Sequence, residues 1–292
     1  MITKELITDV TLTILIRAET TLPADIKEAL ARAYEREDTE IAMSQIGAML
    51  ENVKLAEATQ RPLCQDTGSP LFFVTLGNGI ANLSDIESGI IAGVKAATEK
   101  IPLRPNVVDA LTRSGGTGED ANIGYRMPHV NYKVADIDGL EILAFPKGGG
   151  SENVSAFTML PPRQDAEKAI KQFVLDAVLN AAGKPCPPTI IGVGIGGSSD
   201  MVMSLAKVAL LRPVGVRHED ARIARMEAEL LEAVNSTGIG PMGLGGRTTA
   251  LDVHVETAST HITSLPVAVN FQCWAARKAS ARVYSSGEVE YL

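Results

Sequence analysis

Three cysteines, Cys64, Cys186 and Cys273, carry the most pointed chemistry in this sequence, because none of them lies in an apolar run. Their settings, RPLCQDTGSP, KPCPP and NFQCWA, are polar, proline-rich or at the end of a predicted strand. Three thiolates around a 4Fe–4S cubane leave one iron free to bind a substrate as a Lewis acid, whereas four close every iron and suit electron transfer. Spacing alone is equally met by three small buried side chains that never meet. An odd, sparse cysteine count argues against structural disulfides in a chain whose N-terminus has charges where a signal peptide needs an apolar stretch.

Gln65 and Asp66 directly follow Cys64, which puts an amide and a carboxylate beside the thiol; Asp-Thr-Gly-Ser-Pro is also ordinary turn chemistry. Prolines flank Cys186, fixing the backbone and removing amide donors, as suits a ligand loop at a strand entrance or a buried loop cysteine. Arg104 stands between Pro102 and Pro105, a rigid mount for a guanidinium that can clamp a carboxylate through two hydrogen bonds, or a surface arginine. His261, in ASTHITSLP, is a candidate for proton transfer or a structural imidazole. Three glycine-rich runs, KGGGSEN, GVGIGGSSD and GIGPMGLGG, let backbone approach a ligand closely and offer amides to anions. Gly192, Gly194 and Gly197 also match a dinucleotide fingerprint, so an NAD-dependent oxidoreductase is an alternative of a different class. Against it, the acidic residue at the required distance, Glu219, opens a charged helix instead of ending a second parallel strand.

The elements that must position these residues are legible from periodicity. Helical spacing of Ile7, Val10 and Ile14 begins a helical first sixty residues, broken at Leu22-Pro23 and near Asp38. Pro70 to Gly77 is a predicted strand, and Ser84 with Glu87 forms a capping box opening a helix to about Lys100. His129 to Phe145 alternates around Asp138-Gly139, which predicts a hairpin. Further helices are predicted over Gln164 to Asn180, Ser199 to Leu211 and Glu219 to Asn235, and strands over Thr189 to Val193, Val267 to Phe271 and Ala281 to Tyr284. Ala250 to Glu256 alternates as a half-buried strand. The expectation is a single catalytic domain over residues 1–292, lobed near Lys184 if divided. Its class is α+β, a helical N-terminal region followed by mixed strands and helices around a cluster-binding cleft.

Composition sets the frame: 292 residues, 45% hydrophobic, a net charge of -8 and 4% aromatics. That suits a globular, cytoplasmic protein and offers neither a basic field nor stacking platforms for nucleic acid, and no apolar stretch is long enough to span a membrane.

Taken in order, PLCQDTG, PLRPN, KGGGSEN, CPP with IGVGIGG, GIGPMGLGG and LPVAVNFQCWAAR resemble the class I, iron–sulfur-dependent fumarate hydratases, specifically the α subunit of the two-subunit form. The resemblance runs from about residue 60 to 282 and includes every cysteine. It implies that Cys64, Cys186 and Cys273 ligate a 4Fe–4S cluster, and that Gln65, Asp66, Arg104, Gly149 and Gly150 hold a dicarboxylate. His261 matches a histidine assigned to proton transfer, and Asp66 an aspartate that assists a base carried by the domain absent here. The implied activity is reversible hydration of fumarate to (S)-malate, a tricarboxylic acid cycle step, in an α2β2 assembly with a β subunit. The L-tartrate dehydratase α subunit resembles the same pattern; Ser151-Glu152-Asn153 after the glycines and Pro105 after Arg104 favour fumarate.

Overall fold

The computed structural model describes residues 1–163 and 165–292. In chain order its elements are α1 (Lys4–Thr20), α2 (Ala24–Arg36), α3 (Glu40–Thr59), β1 (Leu71–Asn78), α4 (Leu83–Lys100), β2 (His129–Asp138), β3 (Leu140–Ala144), α5 (Gly149–Glu152), β4 (Ala156–Met159), α6 (Ala166–Ala181), β5 (Thr189–Ile195), α7 (Ser199–Ala209), α8 (Ala221–Asn235), β6 (Ala250–Thr257), β7 (Pro266–Gln272), β8 (Ala279–Val283) and β9 (Val289–Tyr291). The class is α+β, with the helical N-terminus expected from the sequence. Gln164, the first residue of one predicted helix, lies outside the described residues.

The chain divides into two compact units, each discontinuous in sequence: Met1–Pro23, Asn52–Gly149 and Arg277–Leu292 form the first, Ala24–Glu51 and Gly150–Ala276 the second. Residue 184 lies inside the second unit.

The first unit is a five-stranded sheet in the order β2-β1-β3-β8-β9, with α1 and α4 packed on it through Ile7, Val10, Ile14, Ile86, Ile90 and Val94. The two helices touch through Gly89 and Gly93: a Cβ there would come within 2.7 Å of Ile7 and 2.5 Å of Thr11. The predicted hairpin is corrected here. β2 and β3 do not pair with each other; β1 lies between them, parallel to β2 and antiparallel to β3. The Asp138-Gly139 turn instead wraps the end of β1, where Gly139 (φ 74°) accepts from Gly77 N–H and donates to Asn78 O. The apolar run of β1 has two sides to satisfy, and burying Phe72 and Val74 between two partners removes more surface from water than a two-stranded ribbon can. The capping box is also corrected: Asn82 caps α4, its Oδ1 accepting from Ser84 N–H and Oγ–H.

The second unit is a four-stranded sheet in the order β4-β7-β5-β6. One face packs Val267, Val269 and Phe271 of β7 against α6 and α8; the other meets Val202 and Ala206 of α7 at Ala268. Gly192 and Gly194 make that second contact possible, since a Cβ would come within 2.0 Å of Ala206 O and 2.2 Å of Val202 O. The dinucleotide-like spacing is therefore explained by close helix-on-strand packing. β6 is not half-buried as predicted. Asp252 and His254 are both about as buried as Val253 and Val255, because Arg217 and the ring of His254 pair with Asp252. Among the described residues no helix is long and apolar enough to cross a membrane.

Candidate active site

In the first unit the segment Cys64–Gly68 joins α3 to β1 and is held from below by a buried ion pair. Leu63 N–H donates to Glu19 O at 2.8 Å, and Asn52 Nδ2 donates to Leu63 O at 2.7 Å. Arg277 Nη1 donates to both Glu19 Oε2 and the Asp66 carbonyl, each at 2.8 Å. Glu19 and Arg277 are each 1% exposed. Burial pushes the Glu19 carboxyl up to about 7 in spite of the Arg277 charge and hydrogen bond, with Asp66 adding to the rise.

Above that pair the Asp66 carboxylate is fully engaged. Oδ1 accepts from Gly68 N–H at 2.9 Å and Asn106 Nδ2 at 3.4 Å; Oδ2 accepts from Gly149 N–H at 2.8 Å. Asn106 Nδ2 also reaches Thr67 Oγ1 and Gly68 O, and Arg104 N–H donates to the same Thr67 hydroxyl at 3.0 Å. Three predicted residues, Asp66, Arg104 and Gly149, are thus tied into one network, with the Arg104 and Gln65 side chains exposed. Gly68 has φ 73° and lies so close to Lys147 that a Cβ would meet its backbone at 2.8 Å, which permits the Ser69–Lys147 bridge that brings the glycine run to the carboxylate. Oδ1 thus takes a bond from its own loop and Oδ2 one from the glycine run, so this carboxylate holds the two segments together.

In the second unit the sheet ends bring two thiol-bearing segments together. Ile190 of β5 pairs with Gln272 of β7, and Trp274 N–H donates to Cys186 O at 3.1 Å. Cys186 has φ 55°, an uncommon backbone state for a residue with a Cβ, held by a bond from its N–H to Gly183 O and by the prolines on either side. Gly150 belongs to this unit too, and a Cβ there would meet Lys184 O at 2.9 Å. His261 lies in the loop between β6 and β7, exposed; its Nδ1 faces Thr263, 2.8 Å from the hydroxyl and 3.2 Å from the backbone N–H. Glu152 anchors the glycine run, accepting from Lys207 Nζ at 2.5 Å and from Asn270 Nδ2 at 3.2 Å.

The three cysteines are half-buried and none forms a disulfide. Two belong to the second unit and Cys64 to the first. Among the described residues no group of three or more His, Cys, Asp or Glu side chains is set to hold a metal ion. The donor chemistry nonetheless fits a sulfur-ligated cluster: three thiols on loops and, next in sequence to Cys273, a buried amide, Gln272, whose Oε1 and Nε2 have no partner among the described residues.

Sequence reasoning missed Glu19, Asn106, Glu152, Gln272 and Arg277 as supporting residues. Asn106, Glu152, Gln272 and Arg277 stand inside motifs already quoted. Glu19 had a signal of its own: it continues the row Ile7, Thr11, Leu15 at four-residue steps, so it is a carboxylate on the buried side of α1.

The chain matches the family described as Fumarate hydratase (Fumerase) over residues 8–282. It belongs to that family. A Methanocaldococcus jannaschii protein, named only provisionally as an L(+)-tartrate dehydratase subunit alpha, is 50% identical over 95% of this chain and 97% of its own length. Proteins named L(+)-tartrate dehydratase subunit alpha from Escherichia coli and Shigella boydii are 34% identical over 94% of this chain and 89% of theirs. As a member of the fumarate hydratase family the chain is a hydro-lyase, and the oxidoreductase alternative is set aside. The Asp66 network presents an exposed Arg104 guanidinium, and the loop between β6 and β7 an exposed His261 imidazole.

Proposed function

We propose that this chain is the α subunit of an iron–sulfur hydro-lyase, working with a β subunit in an α2β2 assembly, and that residues 1–292 act as one catalytic domain. Cys64, Cys186 and Cys273 are the residues that would hold a 4Fe–4S cluster. When bound, such a cluster supplies a Lewis acid for the departing hydroxyl of a 2-hydroxy dicarboxylate. The Arg104 guanidinium clamps a substrate carboxylate through two hydrogen bonds, and Gln65 with the amides of Gly149 and Gly150 supplies further donors. Asp66 holds the Arg104 and glycine segments in register and orients the partner's base. His261 presents its Nε2 edge for proton transfer to or from the oxygen that leaves or enters as water. Elimination removes a C–H proton and a hydroxide from adjacent carbons, giving an alkene and water. The observation that carries the reading is the Asp66 network, which ties Arg104 and Gly149 to the loop bearing Cys64.

Fumarate and malate are the substrate pair favoured by Pro105 and by Ser151-Glu152-Asn153. A second reading, dehydration of L-tartrate, is favoured by the names of the relatives above. Anaerobic co-expression with the partner chain, iron loading and parallel assays on (S)-malate and L-tartrate separate them. The proposal expects kcat/KM to favour malate and the isolated α chain to be inactive with either. Preferential turnover of tartrate overturns the substrate, and full activity of the isolated chain overturns the division between subunits.

A further inference from the structure

Gln272 is the most anomalous polar residue in the second unit. It is 1% exposed, yet neither amide atom has a hydrogen-bond partner among the described residues. An unpaired buried amide group costs about 1–3 kcal/mol, so folded proteins retain few of them without a use. Strand alternation puts Gln272 on the same sheet face as Ala268 and Asn270. Asn270 is engaged there: its Nδ2 donates to Ser155 Oγ at 2.7 Å and to Glu152 Oε2 at 3.2 Å, and Glu152 in turn takes Lys207. Two residues further, at the strand's end, the corresponding amide meets nothing. Gln272 immediately precedes Cys273, and the Trp274-to-Cys186 backbone bond fixes the second thiol-bearing loop alongside.

We propose that the Gln272 side-chain amide is a hydrogen-bond donor to the sulfur of the iron–sulfur group held by Cys186 and Cys273, a positioning residue that tunes the cluster. The inference rests on the cluster reading above. N–H donors to cluster sulfur stabilise the more negative, reduced state and so raise the reduction potential, and outer donors of this kind also strengthen metal retention. The setting agrees: a long amide at the end of a strand, next in sequence to Cys273, with the amide nitrogen of its same-face neighbour Asn270 already given to Ser155 and Glu152.

The test uses the full chain, loaded anaerobically with iron and sulfide, as wild type, Gln272→Met and Gln272→Glu. Thr11→Val serves as a control, because Thr11 Oγ1 is a buried hydroxyl without a partner in the first unit. The readouts are the reduction potential by EPR-monitored titration, the rate of iron release to a chelator, and the melting temperature of the cluster-free chain. Gln272→Met should lower the potential and release iron about tenfold faster, while the cluster-free chain melts no lower than wild type. Thr11→Val should leave potential and release unchanged. If Gln272→Met alters only the cluster-free melting temperature, the amide is a buried polar defect or water site and the proposal is overturned. Should the methionine variant not fold, the near-isosteric Gln272→Glu reads the same two cluster properties, with a larger fall in potential expected from the added carboxylate. A wild-type chain that binds no iron removes the cluster reading itself, an outcome distinct from a loaded wild type matched by an equally well-behaved variant.

Discussion

The Asp66 loop and the C-terminal end of β7 are built on opposite terms. Around Asp66 both carboxylate oxygens are used, and the loop's carbonyl is held by Arg277. At the end of β7, Asn270 Oδ1 and both amide atoms of Gln272 have no partner among the described residues. A saturated network fixes geometry by itself, because each group that moves leaves another unpaired. The two regions differ accordingly: the first unit fixes the Asp66 carboxylate through its own loop and the glycine run, whereas the end of β7 in the second keeps an amide group and a carbonyl oxygen unpaired among the described residues.

The contrast breaks most visibly at the buried ion pair. Arg277→Met leaves Glu19 buried without its cation and releases the Asp66 carbonyl, and should destabilise the chain by on the order of 3–5 kcal/mol in urea unfolding. A loss under about 1 kcal/mol would mean that the loop stands without the pair.

A pH profile sharpens the same point. Glu19 is raised from 4.5 to about 7 in the folded chain, so the folded state holds its proton where the unfolded state has lost it. Its contribution is fully present below 4.5 and is lost as pH rises through about 7, a change on the order of 3 kcal/mol. Glu19→Gln should flatten stability across that window, measured by urea midpoints at successive pH values. An unchanged slope would move the titration elsewhere.

The smallest expected effect falls on Asn106. Asn106→Ala removes one donor from Asp66 and ties to Thr67 and Gly68, so stability should fall by about 1 kcal/mol, and kcat/KM of the assembled enzyme about tenfold with iron content intact. Wild-type kinetics in that variant would show that Gly68 and Gly149 suffice to place the carboxylate.

Much of this arrangement was legible in the sequence. The breaks before α2 and α3 followed from Pro23 and from the charged stretch at Asp38, and β1, β5 and β7 appeared as apolar runs with clear ends. What was not legible depended on partners distant in sequence. Asp138-Gly139 is a turn, as its residue types require, but only the competition of β1 for both neighbours decides that the flanking strands do not pair with each other. Asp252 and His254 look solvent-facing by alternation, and become buried because Arg217 arrives from a loop before α8. Asn82 displaced Ser84 as the cap because its side chain occupies both the backbone and the hydroxyl of that serine. For the site, residue types marked the cysteines, Asp66 and Arg104, whereas the residues that hold them, Asn106 and the Glu19–Arg277 pair, required coordinates.

The proposed function turns on whether Cys64, Cys186 and Cys273 hold one 4Fe–4S cluster. Iron and sulfide analysis of the anaerobically loaded chain, beside Cys64→Ser, Cys186→Ser and Cys273→Ser variants shown by circular dichroism to be folded, tests it most directly. The account predicts about four irons and four sulfides per wild-type chain and a loss of both, with the visible absorbance, in every variant. A single folded variant that keeps the full iron complement would contradict it.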